Sequence, residues 1–449
     1  MISRRIVAGT VGALLTNPRL ALAEADAESA EPNWFAPRPA LRRLLRPRSG
    51  EAVPVSEYVI GDGRADDTEA YQTLMDLAAD EYVYSDGLTI ALTSTVQWRG
   101  HRVHRFGRNA RLVGDVEGFA VRGLGFPELL STALAEPAGR GAVSFRVDQP
   151  GELTVGDDFY LFDAASDEYD VNRVRATNGP EIETARPLNY DFTSPQTVRL
   201  YTLRNAVRDV TVLGGEVRNV NSSEAAHGLG FLNAVDIRVD GLSVVETGGI
   251  GLSFDASMRW QAHRVAAIRT GASGLGGRSV KDFSVTGFRS RWPRRDESLT
   301  FYRNCTHGLI EDADITQFLS GETDARAGNC ILLDDRCCDI EVRRPRLRGS
   351  ATYALFINNR SDRNLVVDPD IAGANLGGVR IARNSNHNRI TGGRIAHVVN
   401  ARDNEQQLIA TAAIQDDSTC TGNVLGEGTR FEGIASGVHI RLEGKRAHR

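Results

Sequence analysis

The 449-residue chain is 41% apolar but only 7% aromatic and carries 45 glycines, so it can bury a sizeable core interrupted by many turns. A net charge of −5 excludes a strongly basic protein that binds nucleic acid by bulk charge. Of 53 basic residues only Lys281 and Lys445 are lysines, and the arginines that make up the rest have planar forks suited to carboxylate and phosphate.

The chain opens with Ser3-Arg4-Arg5, the apolar run Ile6 to Leu15 and an A-x-A site at Ala21-Leu22-Ala23. Residues 1–23 therefore read as a twin-arginine-like export signal, and the mature protein is expected to be periplasmic or secreted. The run is too short for a permanent membrane span, and no later stretch reaches that length. Residues 24–54, with Pro32, Pro37, Pro39, Pro47 and Pro54 among arginines, read as an extended linker. A single folded domain is expected over residues 55–444.

Its first segment is GDGRADDTEA, from Gly61 to Ala70. Asp67 or Thr68 can start a helix that carries Tyr71, Leu74, Met75 and Ala78 on one face. Short strands follow at Tyr82–Tyr84, Thr89–Leu92 and Thr95–Trp98. Residues 143–205 then break the pattern with longer alternating strands and polar connections, an excursion able to wall a groove.

The C-terminal half is a degenerate repeat: a short apolar strand, a polar turn, then a second short strand opening on Asp or Asn. Copies start at Gly228, Gly249, Gly274, Ser298, Cys330, Ala354 and Gly378, which are 21 to 32 residues apart. This period with four- to six-residue strands predicts an all-β fold, a β-solenoid whose first coil needs a capping helix. The five cysteines show no metal-ligand spacing and read as core or turn residues with one optional disulfide.

GDGRADDTEA and the repeats together resemble the pectate-lyase-like superfamily of right-handed parallel β-helix proteins, over about Val53 to Gly444. That superfamily includes polysaccharide lyases, polygalacturonase-type hydrolases and phage tailspikes. The resemblance implies a right-handed parallel β-helix, a polysaccharide substrate and, as in many such proteins, a homotrimer as candidate assembly. It gives Gly61 to Thr68 a structural part in the cap turn.

In a parallel coil, equivalent repeat positions stack about 4.8 Å apart. The position after the first strand of each copy gives the column Leu232, Asp255, Arg278, Tyr302, Asp334, Asn358, Ala382. The next position gives Asn233, Ala256, Ser279, Arg303, Asp335, Asn359, Arg383. Arg278, Tyr302, Asp334, Asp335 and Asp255 are the candidate catalytic residues, on the expectation that Arg278 lowers the pKa of Tyr302. The basic, aromatic-bearing stretch Arg259 to Arg303 adds candidate substrate-binding residues Arg303, Trp292 and Arg295, with His227 and Glu297 from the column before the strand. A further column, Asp209, Asp236, Asp282, Asp339, Asn364, Asn388 and Asn423, is expected to be a structural ladder at the second strand.

Two reactions compete. A lyase needs a base, drawn from Tyr302, Arg278 or His227, and a cation to neutralise a uronate carboxylate. A hydrolase needs two carboxyl groups at about 5–5.5 or 6.5–9.5 Å, and Glu322 or Asp324 could supply the second. LLDD, Leu332 to Asp335, resembles the paired-aspartate strand of polygalacturonases. RIAR, Arg380 to Arg383, resembles their later basic strand but has Ala382 where lysine is usual, and the His-bearing turn between them is missing. The expectation is an exported enzyme that cleaves an acidic polysaccharide by β-elimination. The alternatives are a hydrolase of the same fold and a glycan-binding spike or adhesin. No cofactor is required, and calcium is a candidate addition because acidic side chains and uronate oxygens suit hard cations. Nucleic acid is not an expected partner.

Overall fold

The computed structural model describes residues 52–77, 79–294, 297–317, 328–374, 376–397, 414–416, 419–432, 441–442 and 445–446. The export signal, most of the linker, Ala78, Arg295, Glu322 and Asp324 lie outside the described residues.

Among the described residues the strands wind into three long sheets of 14, 12 and 12 strands, parallel except where Arg441–Leu442 meets Lys445–Arg446 at the end of the third. One coil shows the rule: Met258–His263 lies in the first sheet, Ala266–Ile268 in the second and Leu275–Arg278 in the third. The molecule is a right-handed parallel β-helix. Alternate residues face inward, so a strand such as Lys281–Thr286 buries Phe283 and Val285 and leaves Ser284 and Thr286 only partly covered. Inside, rings stack between rungs: Phe254 on Trp260 at 3.9 Å, Trp260 on Phe283 at 5.1 Å and Phe283 on Phe301 at 4.6 Å.

The first coil starts at Ala52–Pro54, which pairs in parallel with Glu81–Val83. Helix α1, Thr68–Met75, buries Tyr71, Leu74 and Met75. The Tyr71 hydroxyl bonds that of Tyr84 at 2.6 Å and receives the Trp98 indole N–H at 3.1 Å, which ties the helix to the first coils. In the GDG turn, the Asp67 carboxylate accepts the N–H groups of Ile60 and Gly61 at 2.8 and 3.0 Å.

The corner after each third-sheet strand repeats one conformation. Asn233, Ala256, Ser279, Arg303, Asp335, Asn359 and Arg383 all have φ between 43° and 57°. This left-handed turn costs roughly 1–2 kcal/mol per non-glycine residue, so the packing of the coil imposes it. The ladder expected at the second strand divides in two. Asp209, Asp236, Asp282 and Asp339 are left-handed, with φ of 52–60°. Pairing of Glu341 with Leu365 sets Asp339 beside Arg363, so Asn364 stands one place further on. Asn364, Asn388 and Asn423 form their own buried ladder, each Nδ2 reaching the next Oδ1 at 3.1 Å. The five cysteines are buried and free, so the optional disulfide is not formed.

Between the early and later coils the chain leaves the rod. Glu128–Leu129, Ser144–Arg146, Asp158–Asp163, Glu168–Asn178, Glu181–Thr184 and Val198–Thr202 make a separate six-stranded antiparallel sheet. It has its own core, including Phe145, Phe159, Leu161 and Phe192. Its central hairpin, Asp158–Asp163 with Glu168–Asn178, lies against the corner that follows the third sheet.

Candidate functional site

Register on the third sheet sets the expected column side by side: Leu232 with Asp255, Asp255 with Arg278, Arg278 with Tyr302, and Tyr302 with Asp334. Asn358 continues the row and donates its Nδ2 to Asp334 Oδ1 at 2.9 Å. These side chains point away from the core, because Phe254, Gly277, Phe301 and Leu333 before them face inward.

The excursion encloses the row. Tyr160 and Tyr169 pack beside Ala256 and Met258. The Arg278 guanidinium lies over the Tyr169 ring at 5.8 Å. Arg303 Nη1 donates to Asp167 Oδ2 at 2.6 Å, and Arg336 pairs with Glu168. Asp255 and Arg278 are both 4% exposed and share one bond, Nε to Oδ1 at 3.0 Å. The second Asp255 oxygen is buried without a partner. The Arg278 Nη1 and Nη2 groups and the Tyr302 hydroxyl make no hydrogen bond among the described residues. Half of a rigid donor fork and a phenol on adjacent rungs are thus available to a ligand.

The titration of Tyr302 runs opposite to the sequence expectation. Burial pushes its phenol up to about 12, outweighing the pull of Arg278. Tyr302 is neutral at pH 7, a proton donor rather than a standing base. Burial, and then the neighbouring Asp335 charge, raise the Asp334 carboxyl above its ordinary range. Burial raises Glu168 as well, against the opposing charge of Arg336.

The remaining candidates are dispersed. Asp335 occupies the left-handed corner, accepts the Asn359 Nδ2 at 3.2 Å and pairs with Arg336. Glu297 lies before its strand and accepts from Asn329 at 3.1 Å. Trp292, 43% exposed, follows a second-sheet strand. His227 begins its third-sheet strand, at the end opposite Leu232. It is buried, packs at a tilt against the Phe119 ring, and its Nδ1 accepts the Ile250 N–H at 2.9 Å, which suits packing rather than substrate contact. The basic stretch is not a basic surface. Arg259 binds Asp158 and Asp236, Arg264 binds Asp240, Arg269 binds Glu246, and Arg291 binds Asp314. Among the described residues no group of three or more His, Cys, Asp or Glu could hold a metal ion, and calcium enters no step of the chemistry proposed.

Burial lowers the His227 imidazole to about 4. A depressed imidazole contributes stability above its unfolded value near 6.5, and that contribution is lost as pH falls toward 4. The expected loss across this window is about 3 kcal/mol. Urea midpoints near pH 7 and pH 4.5 should converge in His227→Gln relative to the unmodified chain. A residual slope remains, because burial holds His104 lower still, at about 3.

Compared by sequence, the chain matches no family model and no characterised protein. Its structure is similar to the tailspike gp49 of Pseudomonas phage LKA1, with a TM-score of 0.58 and 11% identity over 85% of this chain and 78% of that one. It is also similar to the tailspike gp61 of Pseudomonas phage phi297, with a TM-score of 0.55 and 13% identity over 85% and 75%. At such identities the likeness is one of fold, and the fold shared is the right-handed parallel β-helix. No described helix is long and apolar enough to cross a membrane.

Proposed function

We propose that the chain is an exported glycan-processing enzyme that cleaves an acidic polysaccharide by β-elimination, between the third sheet and the excursion. The observation that carries this reading is the unpaired half of the Arg278 fork beside the unbonded Tyr302 hydroxyl. A uronate carboxylate against Nη1 and Nη2 is held by charge-assisted hydrogen bonds and neutralised, which acidifies the adjacent C5–H. Asp334, made more basic by burial, takes the C5 proton. The C5–H electrons form the C4=C5 double bond, the C4–O bond breaks, and Tyr302 gives its proton to the departing oxygen. Asp334 then returns a proton to Tyr302, which restores both groups.

A hydrolytic reading has one observation in its favour, since a carboxyl group of raised pKa is what a general acid requires. Its natural partner Asp255 is three rungs away, about 14 Å, beyond either hydrolase spacing. The test is incubation of the mature chain with acidic and neutral polysaccharides, following ultraviolet absorbance and reducing ends together. Both signals should rise on a uronate polymer. New ends without absorbance would replace elimination by hydrolysis, and neither signal on any polymer would favour a binding spike. Tyr302→Phe should lower turnover by about 10²-fold with its melting temperature nearly unchanged.

A further inference from the structure

A hollow of about 770 Å³ lies at the N-terminal end of the same face, between α1, the turn at Thr93–Thr95 and the start of the excursion at Phe126. Gln97 and Arg122, which line it, pair across adjacent strands. From Arg122 the register continues through Gly230, Ser253 and Gly276 to Thr300, on the same strands and the same face as Asp255, Arg278 and Tyr302. The hollow therefore stands four rungs from Thr300, about 19 Å along one straight face.

The floor between is low. At Gly276 an added Cβ would meet nothing nearer than 3.6 Å, and at Gly230 the surface is the ring of Phe119. A chain lying beside Arg278 and Tyr302 can follow this strip to the hollow, crossing the Phe119 ring over Gly230 on the way.

The chemistry of the hollow differs from that of the row. Its ion pair, in which Arg99 Nε and Nη2 both donate to Asp76 Oδ1 at 3.1 and 2.8 Å, is internally neutral. Asp66 and Glu69 then face a single further cation, Arg122, so the lining carries net negative charge and repels a uronate. The other polar groups are mainly hydroxyls and amides, and Phe126 offers a ring that is 59% exposed. Asp66 is taken up by Thr68 and Thr93, so Glu69 is the carboxylate left to accept from paired hydroxyls, and with a free aromatic face it makes a group that takes an uncharged pyranose.

We infer that this hollow is a second carbohydrate subsite, one that takes a neutral sugar of the polymer whose acidic unit lies at Arg278. The continuity of the strip rests on the reading of the Arg278 face given above, while the hollow itself is independent of it. The substrate is then a heteropolysaccharide with neutral and acidic units spaced along the face.

Neutral gluco-, galacto-, manno- and xylo-oligosaccharides, titrated by calorimetry into the full chain, test this directly. At least one should bind. Phe126→Ala should weaken that binding about tenfold, Glu69→Gln should weaken it too, and Trp292→Ala, which removes an exposed ring beyond a second-sheet strand, should bind as the unmodified chain does. Failure of every neutral oligosaccharide to bind overturns the inference. So does binding that survives both Phe126→Ala and Glu69→Gln, which would place the sugar elsewhere. If no polymer is cleaved but this pattern holds, the elimination reading falls and the subsite stands.

Discussion

Arg278→Gln should lower turnover of a uronate polymer by about 10³-fold, the upper range for loss of one preorganised electrostatic donor. The same change should destabilise the fold, because Asp255 is 4% exposed and Arg278 Nε is its one hydrogen-bond partner in the row. A buried charge stripped of its partner costs about 3–5 kcal/mol. The two effects separate in the double variant Arg278→Gln/Asp255→Asn, in which no charge is left unpaired. Its melting temperature should return most of the way while turnover stays low. Recovery of turnover in the double variant would mean that Arg278 serves only to hold Asp255, and the carboxylate fork would lose its role. Arg278→Lys sharpens the comparison: it keeps the charge but not the planar fork, so turnover should fall well below that of the unmodified chain.

The fold was legible because a coil repeats its chemistry as well as its spacing. Apolar residues at alternate places, a turn and a second strand recur every 21 to 32 residues, and the strands observed at Leu275–Arg278, Leu299–Tyr302 and Ile331–Asp334 follow them. Because register in this half is regular, the sequence column from Leu232 to Asp334 is also a spatial one. The second-strand ladder shows where such reading slips. Asp339 and Asn364 are both short polar residues at a turn, and either type can bond local backbone. Only the pairing of Glu341 with Leu365 tells the left-handed corner from the buried asparagine ladder one place later.

The site was legible only on its coil side. Tyr160, Asp167, Glu168 and Tyr169 come from an excursion far away in the sequence, and nothing in the period ties them to Arg278 or Arg303. The apolar run FYLF, Phe159 to Phe162, marks a strand covered on both faces but not the surfaces it covers. The same gap explains Tyr302. Its arginine neighbour was visible in the column, whereas the burial that raises its pKa depends on the folded surroundings. The arginines from Arg259 to Arg303 look like a basic patch in the sequence, yet their partners Asp158, Asp167 and Asp240 lie in other coils or in the excursion.

How firmly the excursion is held decides whether the site exists at all, and Lys281 is the residue to remove. Its Nζ meets Asp170 Oδ1 at 2.5 Å, with side chains 1% and 0% exposed. The other Asp170 oxygen accepts the Asn189 N–H at 2.5 Å. Lys281→Met leaves the buried Asp170 carboxylate without its cation, at an expected loss of about 3–5 kcal/mol. Lys281→Met/Asp170→Asn keeps an acceptor for Asn189 without a charge, and should recover most of that loss, since a buried ion pair is often close to neutral against uncharged groups. The excursion has a separate apolar core around Phe145, Phe159 and Phe192. The single variant should therefore release it from the rod before it unfolds, and hydrogen exchange should rise first in Asp158–Asp163 and Glu168–Asn178. Turnover should fall with that release and return in the double variant. A single variant that unfolds in one step, with coil and hairpin exchanging together, would instead make the excursion an inseparable part of the β-helix. Its salt bridges from Asp158 to Arg208 and Arg259 would then be enough to hold the wall without Lys281.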